Sequence, residues 1–579
     1  MDCETYSTSD AIFQEKTFGQ GRRLINIEYF FEHILNGEKH KPFDCSIIDM
    51  KLVGEKRTGL FSEFYLKCQM CNCLKTITSD KKSENKVNIN SSIVLGSIST
   101  GIGYSQTSEL AATLDLPFMT LKTYNNYHEQ VAEFIRASAW QTMELAAAEE
   151  IKMAKDAGNV DENGIPCITV VTDGAWSKRS YNVNYDAMSG VACIIGYNTG
   201  KLLFLGVRNK YCSICSWHES KEQETPTHRC FKNWTGSSTA METDIIAEGF
   251  RNSLNQYGIK YSKMVGDGDS SVYRKLLEIR PYGNCLVQKI ECKNHILRNF
   301  AKKIREISSK KRSNSQNKPV PITLRKCVLS RFMRLRSAIT KATTYRIGEN
   351  TSLEEKVQLL RNDINNAPSH VFGEHNLCKT IKYFKCEGQD TNIIPVMKEC
   401  GIYEDVMSAL QRVIDNASSL IMNMDNNLAE HYNSVVCKFI GGKRINFSLR
   451  GSYQTRCEAA ALSFNSGGEY HRMINKTMFG NSPKGFYKKF YLKKKKEHAK
   501  IKARRTLFPK KKKSAKQNLP DQDYGPNANY LPLNPNSDEY KQKAQDFITS
   551  LAKTPGEIKK LREIRWGKSL ILNGFKKDW

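Results

Sequence analysis

Long apolar runs are missing from this chain of 579 residues. No stretch approaches the roughly 18 consecutive apolar residues that a transmembrane helix needs, so we expect no membrane-spanning helix. The first residues, Met1 to Thr5, include two acids and lack the apolar centre of a signal peptide, so we do not expect secretion. No internal repeat is found either. A mean hydropathy of −0.53 with 40% hydrophobic residues is typical of a globular protein with polar connecting regions.

Acidic residues are also scarce relative to basic ones. The chain has 60 Asp and Glu against 88 Lys and Arg, which gives a net charge of +28. A surplus of this size favours a polyanionic partner, and nucleic acid is the obvious one.

The positive charge is concentrated near the C-terminus. The segment from Lys484 to Lys516 holds 14 Lys, 2 Arg and 1 Glu, which is more than half of the surplus. A solvated basic linker is one interpretation. The clusters Lys493–Lys496 and Lys510–Lys513 also fit a nuclear-import signal, and they can add phosphate contacts. We therefore predict a nuclear protein.

The 18 cysteines, in a chain without a secretory signal, indicate reduced thiols and metal ligands rather than disulfides. Cys68 and Cys71 form a Cys-x-x-Cys pair after a strand-like run, which is half of a zinc site. Cys45 and His40 lie upstream at a plausible distance. The alternative is a set of free thiols in a small β domain.

A fuller metal-binding pattern lies between residues 212 and 230. Cys212 and Cys215 are followed by His228 and Cys230, which gives three thiolates and one imidazole, a common tetrahedral zinc set. His218 is an alternative to His228, and free thiols in a surface loop are the alternative to a metal site. Four protein ligands leave no open position, so we predict a structural Zn²⁺ ion.

Two apolar runs each end in an aspartate followed by glycine. Asp173 ends the run from Ile168, and about ninety residues later Asp267 follows Met264-Val265-Gly266. Each predicts a buried strand with a carboxylate as its last residue. Because ligands collect at strand ends of open sheets, two such carboxylates can hold divalent metal ions.

The order of predicted elements indicates an α/β protein. Residues 82–98 are Ser/Asn-rich and predict a loop. Helices at 107–114 and 118–124 allow either a helix-turn-helix or a plain helical pair, and a long helix at 127–157 follows. The later elements are predicted as three strands in a meander, followed by helix, strand, helix and strand. This is the order of an RNase H-like fold. The predicted regions are a Cys-rich N-terminal part (1–80), a helical part (81–160), a core (161–300), a basic α-helical insertion (301–425), the completion of the core (426–480) and a Lys-rich tail (481–579).

Three motifs together resemble the transposase domain of the Mutator-like superfamily in its animal form. They are Thr172–Trp176, then Gly266–Ser270 followed by Glu291–His295 and Asn299, and finally Asn427–Asn433. The resemblance covers roughly Gly164 to His471. It implies an RNase H-like core with an Asp-Asp-Glu catalytic set, a Cys-x-x-His motif after the second aspartate, and a helical insertion before the glutamate.

The resemblance assigns catalytic roles to Asp173, Asp267 and Glu430, with Asp269 as a competitor for the second position. Cys292 and His295 match the Cys-x-x-His motif. Two ligands do not complete a zinc site, so packing and hydrogen bonding near the second aspartate is their expected role, with DNA contact as the alternative.

The carboxylates would hold two Mg²⁺ or Mn²⁺ ions for phosphoryl transfer on double-stranded DNA at transposon ends. An inactive nuclear DNA-binding protein with the same fold is the alternative function, and a zinc-containing RNA binder is a third. Assembly into a homo-oligomer stays open.

Overall fold

The computed structural model describes the chain in a set of segments. They are residues 20–35, 39, 41, 43–81, 89–178, 186–268, 270–376, 378, 383, 386, 391–443, 445–480, 485–507, 538 and 542. The chain divides into two compact units, Met1–Ala503 and Arg504–Trp579. Within the described part, no helix is both long and apolar enough to cross a membrane.

The N-terminal region contains a small antiparallel sheet. A first helix, α1 (Ile27–Leu35), precedes the strands β1 (Met50–Thr58), β2 (Phe61–Cys68) and β3 (Leu74–Thr78), which pair in chain order. Phe30 of α1 packs edge-on against Phe64 of β2, with 6.0 Å between ring centroids.

Three helices follow, and they differ from the sequence-based expectation in two places. They are α2 (Ile89–Thr100), α3 (Tyr104–Thr113) and α4 (Leu121–Asp156). The predicted loop at 82–98 is wrong from Ile89 onward, because Val94, Leu95 and Ile98 are buried and hold α2 in the core. Residues 82–88 lie outside the described part.

The predicted short helix at 118–124 is also wrong. Thr120 caps a single long helix by accepting a hydrogen bond from the Thr123 amide, and nothing between Leu121 and Asp156 breaks it. Because α3 is followed by a 36-residue helix, a pair of short helices is not formed here.

A five-stranded mixed sheet forms the centre of the fold. Its strands are β4 (Cys167–Trp176), β5 (Ser189–Gly196), β6 (Leu202–Asn209), β7 (Lys260–Gly266) and β8 (Gln288–Glu291). The spatial order is β6-β5-β4-β7-β8. The first three strands pair antiparallel, whereas β7 is parallel to both β4 and β8. The helices α5 (Ser213–Ser220), α6 (Ala240–Tyr257) and α7 (Ser271–Ile279) connect these strands.

Side chains alternate between the two faces of the sheet, and both faces are covered. Val171, Val191 and Val265 belong to a core shared with α2, α4 and three later helices. Val170 and Met264 belong to a second core shared with α6 and α7. Neighbouring residues of β4 therefore face different helices, and this alternation sets the direction of Asp173.

The region after β8 is helical and has its own core. It contains α8 (Lys293–Ser309), α9 (Ile322–Ile347), α10 (Leu353–Val371), α11 (Ile394–Glu399), α12 (Ile402–Asp415) and α13 (Ala417–Met422). Phe300, Phe332, Leu360 and Leu410 are among the residues buried there. The long segments of this region have hydrophobic residues at helical spacing, and such a pattern predicts helices.

Four more helices follow the insertion. They are α14 (Asn427–Phe439), α15 (Ser452–Ser466), α16 (Tyr470–Phe479) and α17 (Phe486–Leu507). The segment predicted as a basic linker is thus helical from Phe486 to Leu507. The Lys510–Lys513 cluster lies outside the described residues.

Candidate functional site

Asp173 and Asp267 lie level with each other on neighbouring parallel strands. Val171 of β4 is paired with Val265 of β7, and each aspartate comes two residues later. Asp267 follows the last residue of β7, as expected. Asp173 is not the last residue of its strand, because β4 continues its antiparallel pairing with β5 as far as Trp176 opposite Gly190.

Asp173 points to the face of the sheet that α14 covers. It shares strand parity with Val171 and Ala175, which lie in the core on that side. Its Oδ2 accepts a hydrogen bond of 2.9 Å from Asn433 Nδ2, and its Oδ1 accepts one of 2.9 Å from the Gly174 amide. The side chain is therefore held in one orientation by a helix 260 positions further along the chain.

Glu430 lies one turn before Asn433 on α14, on the same side of the helix. Burial, with smaller contributions from the charges of Asp267 and Glu430, raises the pKa of Asp173 to about 7 against the opposing hydrogen bonds from Gly174 and Asn433. A carboxyl group responds in this way when like charges are close. The fold therefore brings the three predicted acids together. Asp269 lies outside the described residues.

The Cys292–His295 pair holds α14 in place beside the sheet. Buried Cys292 donates through Sγ to Asn426 Oδ1 at 3.2 Å, and the Lys293 amide donates to Met424 O at 3.1 Å. His295 Nε2 lies 3.7 Å from Glu430 Oε1. Among the described residues, neither belongs to a group of three or more metal-binding side chains. These contacts indicate that Cys292 and His295 position Glu430.

Other polar groups near the aspartates were not predicted as site residues. A β-carbon at Gly268 would lie 3.3 Å from Arg412 Nη2 and 3.9 Å from Asn299 Nδ2, so the insertion reaches the site through α12 and α8. A β-carbon at Gly174 would lie 2.6 Å from Glu242 Oε2. Asn433 had a weak sequence signal, its helical spacing from Glu430, whereas Arg412 and Glu242 had none.

The second predicted cluster also assembles. Cys212 Sγ and Cys215 Sγ lie 3.3 and 3.5 Å from His228 Nε2, and Cys215 Sγ lies 3.5 Å from Cys230 Sγ. All four ligand atoms lie within 4.8 Å of one another. His228 Nδ1 lies 2.9 Å from the Pro226 carbonyl, a contact that turns Nε2 towards the thiols.

The thiol of Cys212 is suited to metal binding at neutral pH. Burial would raise its pKa, but the backbone N–H groups of Cys215 and Phe231 outweigh burial, and the pKa falls to about 6. Cys212 stands at the N-terminal cap of α5, where free N–H groups favour a thiolate. His218 packs against Trp217 instead and is not one of the four converging residues.

A third group contains Cys68, Cys71 and Cys45, whose sulfur atoms all lie within 4.8 Å of one another. Cys68 ends β2, and Cys71 lies in the turn before β3. His40, which was considered as a further ligand, lies outside the described residues.

The donor atoms of these sites differ in kind. Carboxylate oxygens, as in Asp173, Asp267 and Glu430, suit hard cations such as Mg²⁺ or Mn²⁺. Thiolates and imidazole, as in the Cys212 group, suit Zn²⁺. In donor chemistry the residues present therefore suit both predicted types of ion. Among the described residues, the cysteine groups have all their ligand atoms within 4.8 Å of one another, whereas Asp173, Asp267 and Glu430 do not form such a group.

Comparison with known proteins identifies the family. A family model described as Mutator-like transposase matches residues 21–386, which is more than half of the chain. No curated protein matches the chain. The match includes Asp173, Asp267 and the Cys-x-x-His pair and ends before α14. The chain belongs to the Mutator-like transposase family.

Proposed function

We propose that this protein is a DNA transposase that cleaves and joins DNA by metal-dependent phosphoryl transfer. Asp173, Asp267 and Glu430 would be the ligands of two Mg²⁺ or Mn²⁺ ions. The observation that carries the proposal is the convergence of three acids from distant segments: Asp173 and Asp267 are level on paired strands, and the helix that carries Glu430 donates to Asp173 through Asn433. The charges of the other two acids add to the effect of burial on the pKa of Asp173, and clustered acids with perturbed pKa values mark functional sites.

The sheet supports an RNase H-like core. Three antiparallel strands followed by two parallel strands, with the first strand at the centre, is the arrangement expected from the predicted element order. It brings the first and fourth strands side by side, and these carry the first two aspartates.

The chemistry follows from the positions of the side chains. When bound, a pair of divalent cations activates the attacking oxygen and stabilises the charge that develops on phosphorus. Asn433 fixes the orientation of Asp173 through its amide. His295, 3.7 Å from Glu430, is placed to hold that carboxylate. Arg412, exposed beside Gly268, is placed to contact a phosphate next to the reacting one.

The insertion offers a surface for double-stranded DNA. The helix α8 begins beside the carboxylates, and Lys302, Lys303 and Arg305 are exposed about two turns after His295. At 1.5 Å per residue, Lys302 lies about 10 Å along the helix from His295, which is within a few base pairs of a bound phosphate. We further propose that the protein acts in the nucleus and that the Cys212 and Cys68 groups hold structural Zn²⁺.

Cleavage by purified protein tests this function. Plasmid DNA carrying the terminal inverted repeats of the encoding element would be incubated with Mg²⁺ or Mn²⁺, and nicked, linear and joined products would be measured. Asp173→Ala, Asp267→Ala and Glu430→Gln should each lower the rate by at least about 100-fold, since each removes a metal ligand. Asp156→Asn, an exposed change at the end of α4, should leave the rate unchanged.

Two results would count against the catalytic proposal. Equal product formation by wild type and Asp173→Ala would assign the cleavage to something other than these carboxylates. Metal-independent DNA binding without any products would instead favour the alternative, an inactive DNA-binding protein with the same fold.

A further inference from the structure

The helical insertion contains a group of metal-binding side chains that the sequence patterns above did not single out. His370, His375, Cys378 and Cys386 each offer one ligand atom, and all four atoms lie within 4.8 Å of one another. The first is in the last turn of α10, and the other three are in the segment between α10 and α11. All four residues are partly buried, and the group is distinct from the carboxylates and the two Cys groups already described.

The distances between ligand atoms match a tetrahedral zinc ion. Cys378 Sγ lies 3.2 Å from His370 Nδ1 and 3.6 Å from His375 Nδ1, and Cys386 Sγ lies 3.2 Å from His375 Nδ1. Zinc bonds of about 2.3 Å to sulfur and 2.0–2.1 Å to nitrogen, at tetrahedral angles, place sulfur and nitrogen about 3.5 Å apart. The Cys212 group, with separations of 3.3 and 3.5 Å between sulfur and nitrogen, has the same compactness.

Hydrogen bonds between pairs of these groups do not explain why all four converge. His375 Nδ1 carries at most one proton, yet both sulfur atoms lie within 3.6 Å of it. Two thiols and two imidazoles facing one point are better stabilised by a shared cation than by one another.

The backbone around the group forms a closed excursion. The Ile393 amide donates to Phe372 O at 3.0 Å, so the chain returns to the point where it left α10. Gly373, with φ of +95°, permits this approach, because a β-carbon there would lie 2.3 Å from the Thr391 carbonyl oxygen. A metal ion is a common means of stabilising a short segment of this kind.

We propose that His370, His375, Cys378 and Cys386 form a structural zinc site that fixes the excursion between α10 and α11 to the insertion. Four protein ligands leave no open coordination position, so the site serves folding rather than catalysis. The inference is independent of the proposed cleavage activity, because it concerns other residues and another type of ion.

Zinc content of the full-length protein provides the first test. The double substitution Cys378→Ser and Cys386→Ser should lower the zinc measured by mass spectrometry by one ion per chain relative to wild type. Cys327→Ser, in α9 of the same insertion, is the matched control and should change nothing. Unchanged zinc content in the double variant would overturn the proposal.

A second measurement uses only the wild-type chain, so it stands even where the double variant fails to fold. The alkylation rates of Cys378 and Cys386 would be followed peptide by peptide before and after zinc is removed with a chelator. Both rates should rise at least about tenfold on chelation and fall again when Zn²⁺ is restored. Equal rates before and after chelation, or a disulfide between the two cysteines in the purified protein, would overturn the proposal.

Discussion

Asp173 is the residue whose environment most clearly departs from that of an ordinary side chain. It is partly buried, it accepts two hydrogen bonds, and two other acids act on it. With a pKa of about 7, it is partly protonated at neutral pH in the metal-free protein. A cation that binds there must displace this proton, so cation affinity should increase as pH rises through 7.

Replacing Asp173 with asparagine should stabilise the metal-free protein in a pH-dependent way. The folded pKa of about 7 is above the unfolded value of about 3.9, so wild type loses stability as pH rises from 4 to 7. Asparagine cannot ionise, and the advantage of Asp173→Asn should therefore grow over this range and level off above pH 7. We expect a gain of up to about 4 kcal/mol between pH 4 and pH 8, measured by urea unfolding in the presence of a chelator.

Two comparisons check the cause of that gain. Asp156→Asn, which is exposed, should follow wild type at every pH. Addition of Mg²⁺ should stabilise wild type and leave Asp173→Asn nearly unchanged. If the free energy of unfolding changed with pH in the same way for wild type and Asp173→Asn, Asp173 would not be the residue with the raised pKa.

At the scale of elements, α14 depends on a buried arginine in the next helix. Arg456 of α15 is 1% exposed, and it donates to Phe439 O and Ile102 O, each at 2.7 Å. Its guanidinium also lies 3.7 Å from the centre of the Phe447 ring. The side chain thus satisfies the last carbonyl of α14, the helix that carries Glu430 and Asn433, and joins it to the turn between α2 and α3.

Arg456→Leu should destabilise the protein by about 2–4 kcal/mol, because two buried carbonyl oxygens lose their charged donor. Urea unfolding monitored by circular dichroism would measure this loss. Lys122→Met, an exposed change on α4, should stay within about 0.5 kcal/mol of wild type. A loss for Arg456→Leu no larger than that of the control would contradict the role assigned to the buried arginine.

The sequence predicted the elements whose pattern is strong and missed those that depend on tertiary contacts. All five strands of the central sheet were expected within a few residues, because apolar runs bounded by turn residues are distinctive. The helix α2 was missed, because its Ser and Asn residues are typical of loops, and only burial of Val94 and Ile98 stabilises it. The continuation of β4 past Asp173 results from pairing with β5, which local sequence does not reveal.

The residues of the candidate site divide in the same way, into those that local sequence predicts and those that only tertiary contacts reveal. Local patterns pointed to Asp173, Asp267 and the Cys212 group, because aspartate after an apolar run and closely spaced cysteines are visible along the chain, and the family resemblance pointed to Glu430. Arg412 comes near Gly268, beside Asp267, only through folding of α12. Glu242 of α6 lies beside Gly174, on the face of the sheet opposite to the Asp173 side chain. The His370 group was overlooked because its four ligands are spread over seventeen positions without a Cys-x-x-Cys pair.

For the whole molecule, the relevant feature is a basic insertion joined directly to an acidic site. Lys302 and Lys303 are exposed in the middle of α8, whereas Asp173 and Asp267 lie on the central strand β4 and directly after its neighbour β7. A net charge of +28 alone would attract DNA to any part of the surface. Binding that is specific to this face must therefore be separated from a general effect of charge.

Reversal of both lysines to glutamate should weaken binding of duplex DNA and lower the slope of log affinity against log salt by about 2. Lys152→Glu with Lys155→Glu, an equal change of charge at the exposed end of α4, is the matched control. The control should keep most of the wild-type slope. Equal effects of the two pairs, measured by fluorescence anisotropy at several salt concentrations, would show that α8 is not the DNA-binding face.

The long separation between Asp173 and its hydrogen-bond donor on α14 also affects how the protein is made. Since 260 positions separate the two residues, a ribosome working at about 5–20 residues per second needs roughly 13–50 s to add the second after the first. From the addition of Asp267 until that of Glu430, the nascent polypeptide holds two aspartates but not the glutamate. A prematurely terminated product ending before α14 would carry the basic surface without a complete acidic triad, so it would be expected to occupy DNA without damaging it.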